Sequence, residues 1–179
     1  MEFEILPEGK AEGLRQNFIN AFIDTTGDHY QEHIAKRRQY PDGCFYDGYL
    51  WDCLKGNRNY EKECSIETAV AALAKREKVL VMWDLFSTYR VRDFRRFSIS
   101  YPRNTILRMS GSVLARQVVE EWEKDQSVQD QALWFPEDIY CFDETLRWYV
   151  IFTHEGWDQW SRPELSEDDY IRICFCHET

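Results

Sequence analysis

Residues Val79-Leu80-Val81-Met82-Trp83 form an unbroken apolar run, and that run restricts the folds open to this chain more than any other feature. A strand that faces water on one side alternates apolar with polar side chains, whereas five consecutive apolar residues leave no solvated side. The run therefore predicts a strand buried on both sides.

The flanking sequence predicts what covers it. After Pro7, residues Ala11, Leu14, Phe18 and Phe22 recur near the helical period, with Ile19 and Ile23 widening the stripe and Asp24-Thr25-Thr26-Gly27 ending it. A second, more polar helix is predicted from His29 to Arg38, closed by the turn Tyr40-Pro41-Asp42-Gly43. Residues 44–54 are aromatic and mixed and carry no clear period. Ser65 is placed to cap a helix on which Ile66, Val70, Leu73 and Ala74 share a face. Beyond the apolar run, 87–104 reads as an irregular Arg-rich connection and Thr105 to Met109 as a short strand. Ser112 is the expected cap of a helix lined by Leu114, Val118 and Trp122, with Ala115 and Val119 beside them.

Asp138 to Phe142 and Arg147 to Thr153 are strand-like, and Asp143-Glu144-Thr145-Leu146 suits a hairpin loop between them. Alternation points Trp148, Val150 and Phe152 one way and Arg147, Tyr149 and Thr153 the other. Asp169 to Cys176 is a third strand with Ile171, Ile173 and Phe175 on its apolar face. The order argues an α+β fold: N-terminal helices packed with a mixed or antiparallel sheet that ends in a β-meander. One domain over 1–179 is expected, with 1–42 as its N-terminal helical part and 43–179 as its sheet-containing part.

The hairpin from Asp138-Ile139-Tyr140 through Asp143, Leu146 and Trp148 to Phe152-Thr153-His154-Glu155 resembles a signature of small uncharacterised bacterial domains. That signature has the form D-[IV]-Y-x-x-D-x-x-[FL]-x-W-x-x-x-F-T-H-E, with an upstream G-[FY]-L-W matched here by Gly48-Tyr49-Leu50-Trp51. The resemblance covers about positions 43–155, and the Arg-rich insert and the last strand depart from it. Proteins of this kind are similar to the immunity-like proteins of toxin loci. The resemblance implies a protein partner and brings no active site with it.

Composition narrows the classes. A chain of 179 residues that is 44% hydrophobic and 16% aromatic can build a core without staples and is not a disordered chain. No apolar run approaches a membrane span, and Met1-Glu2-Phe3-Glu4-Ile5-Leu6 lacks the basic and apolar regions of a secretory signal. Six irregularly spaced cysteines (Cys44, Cys53, Cys64, Cys141, Cys174, Cys176) then read as reduced thiols, and a cytoplasmic setting is expected.

The net charge of −10 is unevenly spread. Seven arginines face one aspartate between 87 and 116, whereas sixteen acidic residues face four basic ones between 117 and 179. Such acidity opposes nucleic acid and anionic lipid and draws basic partners. The arginines from Arg90 to Arg96, interleaved with Tyr89, Phe94 and Phe97, are expected to pair with the acidic C-terminal third.

Candidate chemistry is sparse. His29, Glu32 and His33 match H-x-x-E-H, in which two histidines four apart hold zinc and the glutamate is the general base. A third ligand is missing from the pattern, and the polar helix suits a solvated face. His154 beside Glu155 at a strand end could act as a base, yet no nucleophile accompanies it. Cys174, Cys176 and His177 lack metal-ligand spacing, and no phosphate-binding glycine loop or nucleophile elbow occurs.

Trp157 and Trp160, with Glu164, Glu167, Asp168 and Asp169, combine aromatics and acid in one connection, a recipe for protein recognition. The expectation is a non-enzymatic module that binds a protein, such as an immunity or antitoxin-like inhibitor of a basic toxin, with no cofactor and no membrane. The alternative is a small metal-dependent hydrolase with metal ligands His29 and His33 and catalytic candidates Glu32, His154 and Glu155.

Overall fold

The computed structural model describes residues 3–35, 49–56, 60–61, 64–84, 90–92, 100–102, 105–127, 138–153 and 173–177. Their elements, in chain order, are β1 (Phe3–Ile5), α1 (Glu8–Phe22), β2 (Tyr60–Glu61), α2 (Ile66–Ala74), β3 (Val79–Trp83), β4 (Arg90–Arg92), β5 (Ser100–Pro102), β6 (Ile106–Met109), α3 (Gly111–Ser127), β7 (Ile139–Phe142), β8 (Tyr149–Phe152) and β9 (Ile173–Cys176). The fold is α+β. A seven-stranded sheet runs in the order β1-β6-β3-β7-β8-β9-β2, and each of its pairs is antiparallel. The three strands β7, β8 and β9 form the meander.

The apolar run does what its composition requires. Val79, Val81 and Trp83 face one core, with Leu73 of α2 and Leu114 and Val118 of α3. Leu80 and Met82 face a second core, with Leu14, Phe18 and Phe22 of α1. The sheet is thus sandwiched between helices, and both sides of β8 are buried as well: Trp148, Val150 and Phe152 on the α2–α3 side, Tyr149 and Ile151 on the α1 side. Phe18 and Phe22 form the aromatic centre of the α1 side, with Phe22 edge-on to Tyr149 at 4.8 Å between ring centres. Such edge-to-face pairs add to the gain from burial alone.

Local chemistry sets the boundaries. Pro7 opens α1, and its carbonyl accepts from Lys10 and Ala11. Ser65 caps α2 as its position predicts, its Oγ accepting from the Thr68 amide at 3.2 Å. At α3 the cap is Ser110 and not Ser112: the Val113 amide donates to Ser110 Oγ at 3.3 Å, which starts the helix at Gly111. In the β7–β8 connection, Asp143 Oδ1 accepts from the Thr145 amide at 2.9 Å. Leu146 follows with φ of 53°, a left-handed conformation that leucine rarely takes, and it packs at the edge of the α1 core.

At four further places the structure alters or adds to the sequence reading. The chain starts with a strand, because Phe3–Ile5 pairs with Met109–Leu107 before α1 begins. The polar helix begins at Asp28 and widens into a π-helical turn over Tyr30–Ala35, while 36–38 lie outside the described residues. The connection read as irregular contains a small hairpin, β4 with β5, that stands apart from the main sheet. Residues Leu50–Cys53, unassigned from sequence, make a 3-10 turn. No helix among the described residues is long and apolar enough to cross a membrane.

Candidate functional site

The buried polar residues gather at one end of the sheet. Of the six polar or charged residues that are buried among those described, five lie there: Arg15, Asp84, Thr105, Asp138 and Thr153. Register explains the grouping. Trp83 pairs with Ile139, and Ile139 with Phe152, so Asp84, Asp138 and Thr153 stand side by side one step beyond the ladder. The Asp84 amide extends that ladder by donating to the Asp138 carbonyl at 3.3 Å.

Alternation places these three residues on the α1 side, where two neighbours complete the group. Tyr140 donates its phenol proton to Asp84 Oδ2 at 2.5 Å, and the Leu50 amide donates to the same oxygen at 3.0 Å. The Trp51 amide in turn donates to the Tyr140 hydroxyl at 3.1 Å. Arg15 reaches across from α1 and donates to the Trp83 carbonyl at 2.9 Å. Asp84 and Tyr140 therefore lock the 3-10 turn at Leu50–Cys53 onto the sheet.

Burial first, and then the negative charges of Asp84 and Asp138, push the Tyr140 phenol well above its ordinary value. The proton stays on and the donated bond persists. In the unfolded chain the same group ionises near its ordinary 10.0, so its contribution is complete below that pH and falls away as pH rises above it. Tyr140→Phe should cost about 2–3 kcal/mol near neutral pH, the worth of a buried bond to a charged acceptor. It should also flatten the alkaline limb of a stability–pH profile, and an unchanged limb would remove Tyr140 from this role.

Asp84 and Tyr140 have no exposed surface at all. Their hydrogen bonds tie the sheet to the turn at Leu50–Cys53, so the pair positions structure. What it positions is the end of the sheet from which the long connections leave. Asp84 and Thr105 bound the stretch 85–104, Asp138 closes 128–137, and Thr153 opens 154–172, which returns to Ile173 beside Phe152. His154, Glu155, Trp157, Trp160, Glu164, Glu167, Asp168 and Asp169 all belong to that last stretch and lie outside the described residues, as does Cys44.

The His-x-x-Glu-His residues are described. Asp24 Oδ1 accepts from the Thr26 amide at 3.0 Å, the Thr26 hydroxyl at 2.7 Å and the Gly27 amide at 3.1 Å, which fixes the bend before them. The hydroxyl and the amides together hold the Asp24 carboxyl below its ordinary value. His29, Glu32 and His33 are all exposed. The two imidazole centres are 4.6 Å apart, and His29 Nε2 is 3.7 Å from Asp52 Oδ2. Among the described residues no group of three or more His, Cys, Asp or Glu side chains could hold a metal ion.

Cys53, Cys64, Cys141, Cys174 and Cys176 occupy buried positions. Burial, with Asp52 and Asp84 nearby, pushes the Cys53 thiol up to about 12, and burial alone raises Cys141. Both shifts favour the protonated thiol.

Sequence reasoning missed Asp84 and Arg15, although both had a signal. Asp84 directly follows the fully apolar run, and Arg15 interrupts the apolar stripe of α1 between Leu14 and Phe18. A charge in either place needs a buried partner. In comparison with known proteins, no family model, no curated protein and no solved structure matches this chain.

Proposed function

We propose that this chain is a non-enzymatic protein-binding module of the immunity or antitoxin kind, which neutralises a basic toxin in the cytoplasm by direct contact. One observation carries the reading: 85–104 and 154–172 leave from and return to one end of a sheet whose two faces are covered by helices, and 128–137 joins the sheet at that same end. Recognition loops held by a rigid scaffold are the usual way a fold of this kind binds a partner. The composition of the connections agrees. The last contains Trp157 and Trp160 as aromatic anchors and Glu164, Glu167, Asp168 and Asp169 as charge, while the first contributes the arginines.

The acidity gives the test. Long-range attraction speeds association and is screened over a Debye length of about 8 Å at physiological ionic strength. Reversing the charge of Glu164, Glu167, Asp168 and Asp169 should slow association with a basic toxin domain by about tenfold or more and leave the melting temperature in place. An association rate indifferent to both the reversal and added salt would overturn the electrostatic part of the reading.

A further inference from the structure

His29 and His33 sit where the chain passes from α-helical residues into the π-helical turn Tyr30–Ala35. A π-helical turn is rare and often marks a functional position. This one is held in place by its surroundings: Gln31 Nε2 donates to the Thr25 carbonyl at 2.6 Å, the Gln31 amide donates to Gly27 at 3.1 Å, and Ile34 is buried. The imidazoles are therefore presented to solvent from an anchored backbone. Their centres are 4.6 Å apart with the ring planes 36° from each other.

That spacing has a chemical meaning. With metal–nitrogen bonds of about 2.0–2.1 Å, each ring centre of a bound imidazole stands roughly 3.2 Å from the ion. The 4.6 Å separation leaves both rings within reach of one ion, and among divalent first-row ions affinity for nitrogen ligands rises toward nickel and copper. Asp52, from the 3-10 turn, adds a carboxyl at 3.7 Å from His29 Nε2, too long for a hydrogen bond but close enough to offset the charge of a cation.

We propose that His29 and His33 form a two-histidine surface chelate for a divalent transition-metal ion of the nickel or copper type, supported by Asp52 and completed by water. The site is separate from the sheet end and asks no hydrolysis of Glu32.

The test is calorimetric titration of the chelator-stripped chain with Ni2+, and with Cu2+ for its spectrum. One equivalent of Ni2+ should bind. Binding should be lost in His29→Ala and in His33→Ala, and weakened in Asp52→Asn, which removes the neighbouring negative charge. All three side chains lie at the surface, so circular dichroism should confirm that each variant keeps its fold. The Cu2+ adduct should show nitrogen ligation without a thiolate charge-transfer band. No binding by the unaltered chain, binding that persists in both alanine variants, or a thiolate band would each overturn the proposal.

Discussion

Replacing Trp148 by alanine should lower the free energy of unfolding by about 3–5 kcal/mol, the range for truncating a large aromatic in a packed core. The indole is fully buried in the α2–α3 core. Its Nε1 donates to Asp143 Oδ2 at 2.6 Å, and the Arg76 guanidinium lies 4.4 Å from the ring centre. The substitution removes the packing, a hydrogen bond to an acid that shapes the hairpin turn, and a cation–π contact together. Trp148→Phe keeps much of the packing and loses the N–H, so its cost should be smaller, about 1–2 kcal/mol. Urea unfolding measures both, and an unchanged midpoint for the alanine variant would show that the indole is not in the core.

The second large effect is expected where α2 meets α3. A Cβ on Gly111 would stand 1.9 Å from the Leu73 carbonyl oxygen and 2.7 Å from that of Arg76. These are backbone atoms, and the Gly111 amide donates to the same Arg76 carbonyl at 3.0 Å. Nothing flexible can yield, so Gly111→Ala must push the end of α2 away from the start of α3. A loss of about 3 kcal/mol, the upper part of the usual range for overpacking, is expected. Intrinsic helix preference works the other way, favouring alanine over glycine by about 1 kcal/mol inside a helix. A variant more stable than the parent would therefore contradict the close approach directly.

Much of this fold was legible because strong local patterns agree with the packing. The five apolar residues of β3 could not sit at a solvated face, and the alternation in β8 assigned Trp148, Val150 and Phe152 to one core. Periodicity placed α1 and α2, and Ser65 announced its own helix. What escaped depends on partners far along the chain. Phe3–Ile5 is too short to show a period, and it is a strand because Ile106–Met109 offers it an edge. Leu50–Cys53 is held as a turn by Asp84 and Tyr140, 34 and 89 residues away from the amides they meet. The cap at Ser110 was missed because two serines bracket Gly111 and only packing against α2 chooses between them.

The site was legible to a smaller degree. Asp138 and Tyr140 were visible only as letters in a resemblance, and their place in a buried polar group follows from register and not from spacing. The His29–His33 pair was read as a solvated helix face and as a zincin pattern. The exposure fits the first reading, and neither anticipated Asp52, which arrives from a segment with no readable period.

Hydrogen exchange of the chain, alone and mixed with a candidate basic toxin domain, tests the central claim most directly. If the sheet end is the recognition surface, peptides covering 85–104, 128–137 and 154–172 should become protected on binding. Those of α2 and α3 should exchange as before. Protection concentrated on α2 and α3, with the three connections unchanged, would contradict the account.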